Sequence, residues 1–214
     1  NGTILNKASG TITLSGGTIK NTNTSADAVI VNSSTGKISI SGATVYATEG
    51  SSVINNTSTG TVSMSSGKIT GERIPSYGIN STSTGTITIS GGEITNVATG
   101  IYSEGTVTVS KGTIYGTSYG IKWQAIGTSN SLNIGSLTST SQTDPSIYGG
   151  GIGIQARACT INCYSGIVAG GGSSAIDTGG GINVGSAVVN KNSPTIIRTN
   201  STTGIPVIDT SGMN

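Results

Sequence analysis

The sequence predicts an all-β fold, a right-handed single-stranded parallel β-helix, and three observations carry that prediction. One ten-residue phrase recurs along the chain, its apolar residues alternate with Ser and Thr, and Gly-rich corners separate the copies. The phrase opens at Gly10 (GTITLSGGTI), Gly36 (GKISISGATV), Gly60 (GTVSMSSGKI), Gly85 (GTITISGGEI) and Gly105 (GTVTVSKGTI), at spacings of 26, 24, 25 and 20 residues. Weaker copies stand at Asn130 (NSLNIG), Cys159 (CTINCYSGIV), Gly180 (GGINVGSAVV) and Gly212, so about eight coils of roughly 25 residues fit the chain. Self-similarity at this period marks a solenoid, whose units bury their apolar faces only by stacking on one another.

Each coil supplies three short strands. The first carries apolar residues two apart, as in Ile87 and Ile89 or Val107 and Val109, with Thr or Ser between them. A Ser-Gly-Gly corner comes next, and glycine admits the positive φ that such a corner needs. The second strand starts at a β-branched residue such as Ile94 or Ile114. The third is marked by Val29-Ile30, Val53-Ile54, Ile79, Ile101, Ile121 and Ile176. A helical reading fails, since Gly makes up 35 of 214 residues and no window holds an apolar stripe at helical spacing. A β-sandwich explains near-identical strands less well than a coil does, because only stacking puts equivalent residues in columns about 4.8 Å apart.

One such column is expected just after the third apolar point, at Asn6, Asn32, Asn55 or Asn56, Asn80, Asp177 and Asp209. Stacked side-chain amides there would bond one another and the backbone, as in an asparagine ladder. The chain reads as a single domain over residues 1–214, with an irregular coil and a loop insertion over 126–158. Its opening "NGTILNKASG" and closing "TSGMN" both match the middle of a coil. This predicts a fragment of a longer protein, or a piece that packs end to end with other copies.

Composition narrows the function. Lys and Arg number 10 against 8 for Asp and Glu, a net charge of +2, so nothing favours nucleic acid or an anionic membrane as partner. No transmembrane stretch is visible. The absence of His removes the commonest general base and zinc ligand, and the reading includes no cofactor and no metal. Cys159 and Cys163 are about 13 Å apart along an extended strand, too far for a disulfide. Cys163 takes the inward place of Ile89, so a small buried hydrophobe is expected there. The four Asp and four Glu are scattered, and no pair sits at a hydrolase spacing; Glu93, Glu104 and Arg157 are the first residues to test for polysaccharide cleavage. The glycine runs lack the Lys-Ser/Thr of a phosphate loop.

Two outward surfaces are candidate sites. Tyr77 and Tyr119 hold equivalent places in "SYGIN" and "SYGIK", and Tyr102, Tyr115, Trp123 and Tyr148 fall on the same or adjoining coils. Exposed aromatics on a rigid surface stack on sugar rings, with Lys122 and Gln124 offering hydrogen bonds. The rival surface is a pair of Thr rows on the first strand: Thr11 and Thr13, Thr61 and Ser63, Thr86 and Thr88, Thr106 and Thr108. It resembles the Thr-x-Thr face of ice-binding solenoids, although Lys37 interrupts one row and Asn133, Asn162 and Asn183 take over the other.

The phrase "TGTITISGGEI", preceded by "YGINSTSTG", resembles the repeats of large cell-surface and secreted proteins of bacteria, especially Gram-positive ones. The resemblance covers residues 1 to about 125 closely and the remainder loosely. It implies a right-handed β-helix serving as an adhesin or stalk, and it transfers no functional residue. The expectation is therefore an extracellular, non-enzymatic solenoid that presents a surface to glycan or to a host or neighbouring cell. Ice binding and polysaccharide degradation stand as the alternatives.

Overall fold

Residues one repeat apart become neighbours across hydrogen-bonded ladders in the structure, a computed structural model. It describes residues 2–23, 27–125, 129–136, 144–156, 160–171, 174–177, 189–191, 195–199 and 206–208. The first turns contain β1 (Gly2–Asn6), β2 (Thr11–Leu14), β3 (Thr18–Asn21), β4 (Ala28–Asn32), β5 (Lys37–Ala47), β6 (Ser52–Asn56), β7 (Thr61–Gly71) and β8 (Tyr77–Ser81). Two long strands come next, β9 (Ile87–Ser103) and β10 (Val107–Trp123). The chain continues through β11 (Ser131–Ile134), β12 (Ser146–Gly149), β13 (Ile152–Ala156), β14 (Thr160–Cys163), β15 (Ile167–Gly170), β16 (Ser174–Asp177), β17 (Val189–Lys191), β18 (Thr195–Thr199) and β19 (Pro206–Ile208).

Three parallel ladders result. The first joins β2, the starts of β5, β7, β9 and β10, then β11, β14 and β17. The second joins β3, the later parts of β5, β7, β9 and β10, then β12, β15 and β18. The third joins β1, β4, β6, β8, the ends of β9 and β10, then β13 and β16. This is a parallel β-solenoid. The one antiparallel pair among the described residues is β18 with β19.

From β1 to β13 the chain makes about six turns, fewer than the eight coils counted from the sequence. That count runs on through Gly180 and Gly212, which lie outside the described residues. The irregular coil falls between the first and second ladders. Strand β11 ends at Ile134 and β12 begins at Ser146, whereas β5, β7, β9 and β10 each run through both ladders without a break.

Alternation within each phrase fills the interior with straight aliphatic columns. Ile40, Met64, Ile89, Val109 and Ile134 stack in register, as do Val45, Ile69, Ile94, Ile114 and Ile147, and all are buried. The third ladder adds Ile30, Ile54, Ile79, Ile101, Ile121 and Ile154. Removing each such side chain from water contributes roughly 1.5–3 kcal/mol before entropic costs, so stability accumulates turn by turn. Cys163 continues the first-ladder column beyond Ile134 and is fully buried, in the place the repeat assigns to a hydrophobe. Cys159 lies outside the described residues.

The amide ladder is real, but its membership differs from the expected column. The Asn6 amide donates to Asn32 Oδ1 at 2.9 Å and the Asn32 amide to Asn56 Oδ1 at 2.8 Å. The Asn56 amide then donates to Ser81 Oγ at 3.1 Å. Register carries this inward column on through Ser103 to Trp123. Asn80 instead sits one place earlier, in the neighbouring outward row with Asn55, and Asp177 pairs by strand register with Gln155 of that same outward row. Alternation separates the two, since adjacent residues of a strand face opposite sides. Asp209 lies outside the described residues.

The ladder also explains the opening glycine of three phrases, Gly36, Gly60 and Gly85, where a Cβ would meet the amide of Asn6, Asn32 or Asn56. Asn6, Asn32 and Asn56 each donate an amide proton to the carbonyl of Gly10, Gly36 and Gly60, at 3.1, 2.9 and 2.9 Å. A Cβ at Gly60 would collide with the Asn32 amide and with the Gly36 carbonyl. Gly60→Ala is therefore expected to cost about 1–3 kcal/mol as an overpacked site, read as a lower urea midpoint. The second corner needs glycine for another reason: Gly67 has φ +97° and Gly92 φ +90°, conformations open to few side chains.

Candidate binding face

The strip with the most chemistry lies on the third ladder, from β6 to β13. It arises because the motif segments "VINN", "GINS", "GIYS", "GIKW" and "GIQA" stack with their isoleucines inward. The residue after each isoleucine then faces out. This gives one row along the axis: Asn55, Asn80, Tyr102, Lys122 and Gln155, all half-buried. A second row beside it holds Tyr77, Thr99 and Tyr119 on successive turns.

The two rows touch. The rings of Tyr77 and Tyr102 meet edge to face, with centroids 5.5 Å apart and planes at 63°, an arrangement that suits the ring quadrupoles. Lys122 Nζ stands 5.2 Å from the centroid of the Tyr119 ring, within range of a cation–π attraction. The Tyr102 hydroxyl donates to Glu104 Oε1 at 3.0 Å, and the Asn80 amide donates to Asn55 Oδ1 at 3.2 Å. Thr99, between the two outer tyrosines, is 5% exposed. Between Asn55 and Gln155 the strip has one cation, Lys122, and one flanking anion, Glu104, and strand register places Asp177 next to Gln155.

Four of the residues singled out from the sequence thus come together: Tyr77, Tyr102, Tyr119 and Lys122. Tyr115 and Tyr148 do not join them. They pair with each other on adjacent turns of the second ladder, where Tyr115 is 41% exposed and points out beside inward Ile114. Trp123 is a correction. It is fully buried in the amide-ladder column, and its indole N–H donates to the Gly105 carbonyl at 2.7 Å. Asn55, Asn80 and Gln155 were missed as surface groups, although aligning the segments on isoleucine assigns them to the outward row.

The Thr rows form as expected on the first ladder. Thr13, Ser63, Thr88 and Thr108 share one column, and Thr11 and Thr61 share another, into which the register of Val62, Ile87 and Val107 brings Thr86 and Thr106. Thr11, Thr13, Thr61 and Thr88 are exposed, while Ser63, Thr86, Thr106 and Thr108 are half-buried. Lys37 breaks one column. The other ends in amides, where Asn133 donates to Thr108 Oγ1 at 3.4 Å and Asn162 donates to Asn133 Oδ1 at 2.7 Å.

Six charged residues make contacts that tie neighbouring turns. Lys68 and Glu93 lie 3.2 Å apart, and Arg73 and Glu49 3.5 Å apart. Lys20 sits 4.6 Å over the Tyr46 ring, and the Tyr46 hydroxyl donates to Glu72 Oε2 at 2.6 Å. That hydrogen bond to a carboxylate holds the Tyr46 phenol above its ordinary pKa of 10.0. Among the described residues no group of three or more His, Cys, Asp or Glu could hold a metal ion. Arg157 lies outside the described residues.

Fold and face together define a class: a repeat-built parallel β-solenoid that carries an outer strip of tyrosine and amide side chains with a single lysine, Lys122. No family model matches the chain, and neither a curated protein nor a solved structure matches it.

Proposed function

We propose that the chain is a non-enzymatic β-solenoid that displays a glycan-binding face outside the cell, as an adhesin or stalk of the bacterial surface-protein type. The observation that carries this reading is the cluster of Tyr77, Tyr102, Tyr119 and Lys122 on one rigid strip, flanked by amides. Tyrosine rings offer sugar C–H faces a flat apolar surface, while Asn and Gln side chains both donate and accept toward hydroxyls. The backbone beneath is locked into continuous ladders, so little ordering entropy is lost on binding. Similarity of the repeats to bacterial surface proteins and the near-neutral, Ser/Thr/Asn-rich exterior support an extracellular setting.

The test is a glycan array probed with the wild-type chain and with the double variant Tyr102→Ala/Tyr119→Ala. Binding should fall at least about tenfold in the variant, the contribution of roughly one to two stacked rings. Equal binding by both proteins would remove this strip from the reading.

A second reading rests on the aligned Thr columns of the first ladder, which present hydroxyls on a lattice about 4.8 Å by 6.8 Å. Ice binding predicts thermal hysteresis that collapses in Thr88→Tyr, whose ring would stand proud of the row. Freezing and melting points that coincide in the wild-type protein would end it.

A further inference from the structure

Resting on the glycan reading above, the geometry points to the kind of glycan: we infer that the strip takes an internal stretch of a linear, neutral polysaccharide lying along the solenoid axis, not the end of a branched chain. Three observations converge on this orientation. The polar side chains fall in a straight row from Asn55 to Gln155, one per turn. Five turns at the inter-strand spacing make that row about 19 Å long, whereas across the axis the strip is only two residues wide.

The aromatic spacing agrees. Tyr77 and Tyr119 are in register with the same Thr99 from opposite sides, so they stand two turns, or about 9.6 Å, apart along the axis. Tyr102 lies on the intervening turn, offset toward the amide row and edge-on to Tyr77. A chain running along the axis meets Tyr77, Thr99 and Tyr119 in succession, with Asn80, Tyr102 and Lys122 beside the three steps. A chain crossing the axis would meet one of these rings only. Charge disfavours a polyanion, because between Asn55 and Gln155 the row offers one cation, Lys122, which Glu104 beside Tyr102 offsets, and strand register places Asp177 next to Gln155.

The experiment is a length series by isothermal titration, using neutral β-linked gluco-, manno-, xylo- and N-acetylglucosamine oligomers from monosaccharide to octasaccharide. For the sugar that binds, affinity should climb by about tenfold or more between the shortest and the longest ligands, the value of engaging a second ring, and then level off. Asn55→Ala/Gln155→Ala, at the two ends of the row, should weaken the longest oligomers and leave the short ones unchanged. A monosaccharide that binds as tightly as the octamer would overturn the axial chain while leaving the glycan face standing. Preference for a uronic-acid polymer, added as a further arm, would overturn the neutral class. Failure of every sugar at every length would overturn both this inference and the reading on which it rests.

Discussion

Trp123→Ala is expected to destabilise the solenoid by about 3–5 kcal/mol, the usual cost of deleting a large aromatic side chain from a packed interior. Trp123 is the largest fully buried side chain among the described residues, and its indole N–H satisfies the Gly105 carbonyl at 2.7 Å. Truncation removes the ring's apolar contacts, opens a void between the turns of β9 and β10, and leaves that carbonyl without this donor. Trp123→Phe separates the terms. It keeps most of the volume but not the N–H, and should cost about 1–3 kcal/mol, the penalty for a buried acceptor left with only the 3.4 Å bond from Ser103 Oγ plus imperfect fill. Urea denaturation followed by far-UV circular dichroism measures both. A Trp123→Ala midpoint equal to wild type would show that the indole is not inside.

The second large effect belongs to Asn32, which sits at the centre of the amide ladder. It accepts from Asn6, donates to Asn56 Oδ1 and donates to the Gly36 carbonyl, all out of contact with water. Asn32→Ala removes all three bonds at once and should cost about 2–3 kcal/mol, since each buried polar partner left behind incurs its own desolvation penalty. Asn80 provides the contrast. It looks equivalent in sequence, yet it lies in the half-buried outward row, where its amide reaches Asn55 at 3.2 Å. Asn80→Ala should therefore stay within about 0.5 kcal/mol of wild type, as surface substitutions do. The same urea titrations read both variants, and equal losses at the two positions would erase the distinction between the inward and outward columns.

Those two asparagines show where the sequence could be read and where it misled. The columns Ile40–Met64–Ile89–Val109 and Ile54–Ile79–Ile101 were legible because alternation and a constant phrase fix the register of each strand independently. The third strand was legible in its isoleucine but not in the two residues after it. A shift of one residue there moves a side chain from core to solvent, so "VINN" and "GINS" left the column ambiguous until stacked on Ile54 and Ile79. Trp123 misleads for a related reason: its bulk and rarity suggest an exposed binding residue, while its place two after Ile121 makes it the counterpart of Ser103, inside. The candidate face was half visible. Tyr77, Tyr102, Tyr119 and Lys122 stand out by their chemistry, but their union on one ladder and the departure of Tyr115 and Tyr148 to another depend on which strand of the coil each occupies. The tie between the opening glycines and the asparagine one turn earlier had no local signature, because it joins residues such as Asn32 and Gly60 that are distant in the chain.

Methyl-to-methyl nuclear Overhauser contacts in a selectively labelled sample test the stacking most directly. Stacked turns predict cross-peaks linking Met64 to Ile89 and Ile89 to Val109, and likewise Ile79 to Ile101 and Ile101 to Ile121, each connecting adjacent turns of one column. Spectra in which Ile89 shows no contact with either Met64 or Val109 would contradict the solenoid.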